Sequence, residues 1–212
     1  MRSLLVLPAL ALPLLAGCSL SDDGDQTTQS RNVPAFTRVA NADSVDVKLH
    51  AGTKAQPLRV RAGDKVIDDV RTEVRDGTLH VTFDDSGWGI SDVQVEAWTA
   101  ELTAIDSDGS GDVKADGVSG DAFQVTADGS ADVRVRGTTD RLVVAVDGSG
   151  DAKLADLAAG EARVKAGGSG DVEVRADARL DVDADGSGDV RYHGTPQLTK
   201  RVDGSGDVKA AG

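Results

Sequence analysis

The phrase Asp-Gly-Ser-Gly-Asp at 108–112 returns unchanged at 147–151, 185–189 and 203–207, and in near copy as DGSAD at 128–132 and GGSGD at 167–171. The closing aspartates, Asp112, Asp132, Asp151, Asp171, Asp189 and Asp207, follow one another at intervals of 18 to 20 residues. A fixed period of this length marks a chain that stacks one small unit on the next. Apolar residues alternate on either side of each phrase, as in Leu142, Val144 and Val146 before the third copy and Ala152 and Leu154 after it. Period two with valine at alternate places means strands buried on one face, and no stretch of the repeat keeps a helical period. One such unit cannot bury its face alone, so units must stack. At roughly 3.3 Å per residue a unit has a perimeter of about 60 Å, which suits one coil of a right-handed parallel β-helix. The expected fold is therefore an all-β solenoid of ~18–20 residues per coil with a thin aliphatic interior, in keeping with an aromatic content of 3%.

Parity carried through the corner predicts which side chains face in. With Val113 and Ala115 inward, Gly109 and Gly111 also point inward, as do their counterparts in later copies. Glycine is then expected where the wall turns and side-chain volume would collide inside, and Ala131 in one copy argues against a need for positive φ. The outward row reads Asp108, Ser110, Asp112, Lys114 and repeats with Arg134, Lys153, Glu173, Arg191 and Lys209 at its fourth place. Stacked carboxylates about 4.8 Å apart repel one another by roughly 1 kcal/mol in water and by more at a protein surface. The basic row is expected to offset this, with Glu173 the exception, and the aspartates to accept corner N–H groups.

Residues ahead of the repeat are of three kinds. Met1 to Gly17 reads as a lipoprotein signal peptide: a short basic start, an apolar run from Leu4 to Leu15, and the lipobox Leu15-Ala16-Gly17-Cys18. Cys18, the single cysteine, is the expected lipidation site, and no intrachain disulfide can form. Residues 18–32 are polar without an apolar period and are expected to be a flexible acidic tether. The β-helix domain is expected over 33–212, with irregular capping coils over 33–105 and regular coils over 106–212. Gly77 in Arg75-Asp76-Gly77-Thr78 marks a tight turn between two alternating runs.

The combination of Phe36-Thr37-Arg38-Val39, Val45-Asp46-Val47, Asp76-Gly77-Thr78-Leu79, the Gly-Ser-Gly-Asp corners and Tyr192-His193-Gly194-Thr195-Pro196 resembles a bacterial envelope family, the putative autotransporter adhesin, head GIN domain. The resemblance covers the chain from about Phe36 to Gly212 and implies a right-handed β-helix and an adhesin-like role. Two departures stand out. Asp108, Asp128, Asp147, Asp185 and Asp203 replace a serine that usually opens the family's corner, and Trp98 stands where relatives carry proline.

Three functional classes compete on this framework. A formal charge of −13 disfavours nucleic acid and anionic lipid as partners of the domain's surface. A calcium-binding repeat would draw its ligands from Asp108, Asp112, Asp128, Asp132, Asp147, Asp151, Asp185, Asp189, Asp203 and Asp207, since glycine-aspartate repeats in β-rolls hold Ca²⁺ between turns. Against it stand the period near 19 rather than 9 and the basic residue beside each acidic row. A polysaccharide-active β-helix enzyme needs long loops to wall a cleft and a desolvated acid, and coils this short have none to spare. His50, His80 and His193 lie in unrelated contexts, so no catalytic residue and no cofactor is expected. The expectation is a structural or binding module, exported to the cell envelope and held to a membrane by lipid on Cys18. Its partner would be an envelope protein or a carbohydrate. Trp88 is expected in an exposed loop, where it covers the solenoid end or anchors a partner.

Overall fold

The computed structural model describes residues 23–84 and 92–211. The expected signal segment, Cys18 and Trp88 lie outside the described residues. No helix among the described residues is long and apolar enough to cross a membrane.

The protein is a parallel β-solenoid of stacked coils. Its body is four long strands, β9 (Val113–Ala127), β10 (Val133–Val146), β11 (Ala152–Ala166) and β12 (Val172–Ala184), paired side by side in parallel. They are preceded by β1 (Gln26–Arg31), β2 (Arg38–Asn41), β3 (Asp46–His50), β4 (Leu58–Gly63), β5 (Val70–Arg75), β6 (Thr78–Phe83), β7 (Gln94–Trp98) and β8 (Ala104–Ser107). They are followed by β13 (Val190–His193), β14 (Gln197–Val202) and β15 (Val208–Ala210). Each long strand bends midway at a register shift, near Gly137 in β10, and so contributes one half to each of two walls. Gly137 has a φ of +146°, and a Cβ there would lie 2.0 Å from the Val118 carbonyl oxygen, so only glycine permits the bend.

Alternation delivers one apolar stripe per inward position. On the second wall the cross-strand register runs Leu79, Val39, Ile105, Val125, Val144, Val164, Val182, and every one of these is buried. Together with Val113, Val133, Ala152, Val172 and Val190 on the facing wall they form one continuous core. Branched aliphatic side chains fill a space too thin for many aromatic rings, and apolar burial of this kind is the main stabilising term.

The N-terminal third does not stack in chain order. β2 lies between β6 and β8 and is parallel to both, while β3 lies between β7 and β9 and is parallel to both. The first coil laid down is thus interior: the chain adds β6 and β7 outside it, then crosses back to start the regular coils on its other side. Antiparallel strands close this end, β4 and β1 on the first wall and the β5–β6 hairpin on the second. The hairpin turns at Asp76 and Gly77, with φ of 50° and 73°, the geometry expected of Asp-Gly in a two-residue turn.

The tether expectation is corrected over Gln26–Arg31, which form β1 and pair with the whole of β4. QTTQSR has no apolar residue, so no hydrophobic period announces it; the main chain and one side chain hold it. The Arg31 guanidinium reaches across the end of the solenoid and donates to the carbonyls of Val70 at 2.5 Å and Ile67 at 2.9 Å. One arginine thereby links the outermost strands of both walls.

Candidate functional site

The corner phrase forms one edge of the stack, and its glycines have a cause other than the expected one. None of the corner glycines has positive φ among the described residues, in line with Ala131. Their missing Cβ points along the solenoid axis rather than into the interior. At Gly150 it would lie 2.0 Å from the carbonyl oxygen of Ala131, and at Gly170 1.9 Å from that of Gly150. Real Cβ contacts this short do not occur, so at Gly150 and Gly170 the preceding coil's backbone excludes a side chain. The same corner still bonds coil to coil, Ser149 N–H donating to Gly129 O at 2.9 Å and Ser169 N–H to Gly148 O at 2.9 Å. Close approach of two backbones is what glycine permits here.

The closing aspartates form a single row, as expected, but the bond that makes it is between coils. Oδ1 of Asp132 accepts the N–H of Asp151 at 3.0 Å, that of Asp151 accepts Asp171 N–H at 3.0 Å, and that of Asp171 accepts Asp189 N–H at 2.8 Å. Asp112 and Asp189 do the same for Asp132 and Asp207. The carboxylate stands in for a main-chain carbonyl where the corner interrupts the ladder, an arrangement that satisfies a backbone donor. The row also contains Asp46, whose Oδ1 accepts Asp112 N–H at 2.9 Å. Residues Asp43-Ser44-Val45-Asp46 are a degenerate corner without glycine, in which only Asp46-Val47 keeps the pattern of Asp112-Val113.

The second carboxylate oxygen meets the basic row. Lys153 Nζ bridges Asp132 at 2.6 Å and Asp151 at 3.1 Å; Arg191 bridges Asp171 at 2.8 Å and Asp189 at 2.9 Å. Glu173, the basic row's exception, is matched instead by His193, with Nε2 to Oε1 at 2.6 Å. These contacts set the acidities. The Asp189 N–H, then Arg191, hold the Asp171 carboxyl below the usual carboxylate range. At Asp189 the Lys209 ammonium does so, helped by the Asp207 N–H. Burial works against ionisation of Asp132, but the Lys153 hydrogen bond and the Asp151 N–H outweigh it and lower its pKa. Lys153 is raised, chiefly by Asp132.

The leading aspartates behave differently. Asp108, Asp128, Asp147 and Asp185 are exposed and make no side-chain hydrogen bond or ion pair among the described residues, while Asp203 meets Arg201. Of the ten candidate metal ligands, then, Asp112, Asp132, Asp151 and Asp189 are committed to backbone and base, while Asp108, Asp128, Asp147 and Asp185 stand alone at the surface. No group of three His, Cys, Asp or Glu side chains among the described residues is arranged to hold a metal ion.

A second cluster, which sequence reasoning did not assemble, lies where β3, β7 and β4 adjoin. Glu96 accepts from His50 at 2.9 Å and pairs with Lys48 at 3.6 Å and Arg59 at 3.5 Å. Trp98 stacks on His50 with centroids 5.2 Å apart, and the Arg59 guanidinium lies 4.9 Å from its ring. Trp98 thus fills its place in the wall by cation–π and stacking contacts. The three histidines stay apart: His50 joins Glu96, His193 joins Glu173, and His80 sits on β6.

With this geometry the comparison with known proteins is direct. The family described as "Putative auto-transporter adhesin, head GIN domain" matches residues 35–196. The chain belongs to this family. Proteins of known structure share its fold. A putative adhesin from Bacteroides fragilis NCTC 9343 aligns with a TM-score of 0.74 at 19% identity, over 88% of this chain and 97% of that one. A putative adhesin from Parabacteroides merdae ATCC 43184 gives 0.55 at 16% identity, over 89% and 97%. A putative lipid binding protein from Parabacteroides distasonis ATCC 8503 gives 0.50 at 22% identity, over 89% and 98%. No curated protein matches the chain. The family and these structures carry the names of adhesins or lipid-binding proteins, not of enzymes.

Proposed function

We propose that this head GIN domain protein is a lipid-anchored cell-envelope module that binds a partner through a rigid charged wall and performs no catalysis. The observation that carries the reading is the committed closing row. Each carboxylate from Asp112 to Asp189 already accepts a backbone N–H of the next coil, so the acids serve the wall rather than a reaction. A general acid needs a desolvated, unpaired carboxyl with a raised pKa; the shifts found at Asp132, Asp171 and Asp189 run the other way. The membership in an adhesin-like family supports an envelope location, and the lipobox at 15–18 supports anchoring through Cys18. The partner is an envelope protein or carbohydrate met by the outward rows.

Capture from envelope extract by the domain, with and without EDTA, tests the reading. Capture indifferent to EDTA supports it. Calcium-dependent capture would favour a cation-bridged role for the free leading aspartates, and turnover of a polysaccharide panel would favour the enzyme. Cys18→Ser is expected to release the folded domain from the membrane fraction; a variant that still fractionates wholly with membranes would remove the anchor from the proposal.

A further inference from the structure

The inward stripe of the second wall ends in a charge. Val125, Val144, Val164 and Val182 occupy successive coils in register, and the next residue in that register is Lys200 of β14. The neighbours on β14 confirm the parity: Leu198 and Val202 fall in register with the buried Leu180 and Ala184. Lys200 therefore takes a position that every preceding coil gives to a buried aliphatic residue. Its ammonium does not turn back to the outer surface. It spans the open mouth of the solenoid and donates to the Val208 carbonyl of β15 on the facing wall at 3.1 Å. Beside it Val202 remains 39% exposed, so the end of the stack offers both apolar surface and the outer backbone edges of β14 and β15.

Such an edge is a template for another chain, and an inward-pointing charge is one way natural sheets block it. We infer that Lys200 is a stop residue: it keeps a second copy of this protein from stacking on the C-terminal coil. The self-pairing that it blocks is isologous, the same edge of two copies meeting antiparallel about a two-fold axis. Stacking would bring two ammonium groups into the joined interior. Each would lose water with only a carbonyl in compensation, a burial that an isolated charge does not tolerate. With valine at the same place, the apolar stripe would run unbroken from one copy into the next.

The test is analytical ultracentrifugation of residues 23–211, which contain the whole described core, over a concentration series. The wild-type domain is expected to sediment as a monomer throughout. Lys200→Val, which restores the residue type of the four preceding coils, is expected to show a mass that doubles as concentration rises, with an unchanged far-ultraviolet spectrum. Lys200→Arg keeps the charge and is expected to stay monomeric. The double variant Lys200→Val/Val202→Lys moves the inward ammonium by one inward position, to the register of Ala184, and is expected to be monomeric again. A folded Lys200→Val that remains monomeric, a wild type that already dimerises, or a double variant that associates as the single one does would each overturn the inference.

Discussion

Gly150→Ala tests the reason for the repeated glycine more sharply than any larger substitution, because it adds one methyl group and nothing else. That Cβ would lie 2.0 Å from the Ala131 carbonyl oxygen and 2.5 Å from its carbonyl carbon. To bring the first contact to an ordinary separation the two coils must part by about 1 Å or more at this corner, since non-bonded carbon and oxygen approach no closer than ~3 Å. The neighbouring bonds across the same gap are Ser149 N–H to Gly129 O at 2.9 Å and Asp151 N–H to Asp132 Oδ1 at 3.0 Å. A displacement of that size breaks or badly weakens both. Overpacking costs about 1–3 kcal/mol, and each lost hydrogen bond adds about 1 kcal/mol, so the expected destabilisation is about 2–5 kcal/mol. Urea unfolding followed by far-ultraviolet circular dichroism reads it directly. The natural alanine supplies the contrast. Ala131 sits over Gly111, whose carbonyl oxygen is held by the Asn41 side-chain amide at 3.2 Å, and Ala131→Gly should cost no more than the roughly 0.5–1 kcal/mol of added backbone freedom. A Gly150→Ala domain as stable as wild type would refute the backbone-approach argument and return the glycines to a role in interior volume.

Three further outcomes follow from the ladders. Asp151→Ala leaves Asp171 N–H without its acceptor and should destabilise by about 1–3 kcal/mol, whereas Asp151→Asn keeps the oxygen and should stay within about 1 kcal/mol of wild type; equal melting temperatures for the two would sink the ladder account. Asp132, Asp171 and Asp189 are held below their ordinary range in the folded state, so their stabilisation is complete above the unfolded value near about 4 and is lost as pH falls through the folded values. Melting temperature should accordingly be level near neutrality and fall below about pH 4, less steeply in Asp171→Asn; a level or rising profile in acid contradicts this. Calcium should leave the wild-type melting temperature unchanged relative to EDTA, and a rise that Asp151→Asn abolishes would restore the calcium site.

What the sequence determined by itself is what repeats. Period-two alternation and an 18 to 20 residue interval are local patterns, and a local pattern copied in each coil dictates the coil, the inward valines and the single row from Asp112 to Asp207. Even Glu173 and Ala131 were visible as departures. The tertiary structure decided whatever depends on neighbours distant in the chain. Parity could say that glycine faced a crowded place, but only the stacked coils show that the obstacle is a carbonyl of the coil before. Both acidic rows read alike along the chain, yet Asp112 to Asp189 of one accept the next coil's N–H groups, while Asp108, Asp128, Asp147 and Asp185 of the other are left in water. The order of the N-terminal strands was illegible because parallel pairing depends on register and not on succession, so β2 and β3 can be laid down first and still end inside the stack. Strand β1 was missed for the related reason that it is held by backbone bonds and by Arg31 rather than by apolar burial, and a hydrophobic pattern records only the residues that leave water.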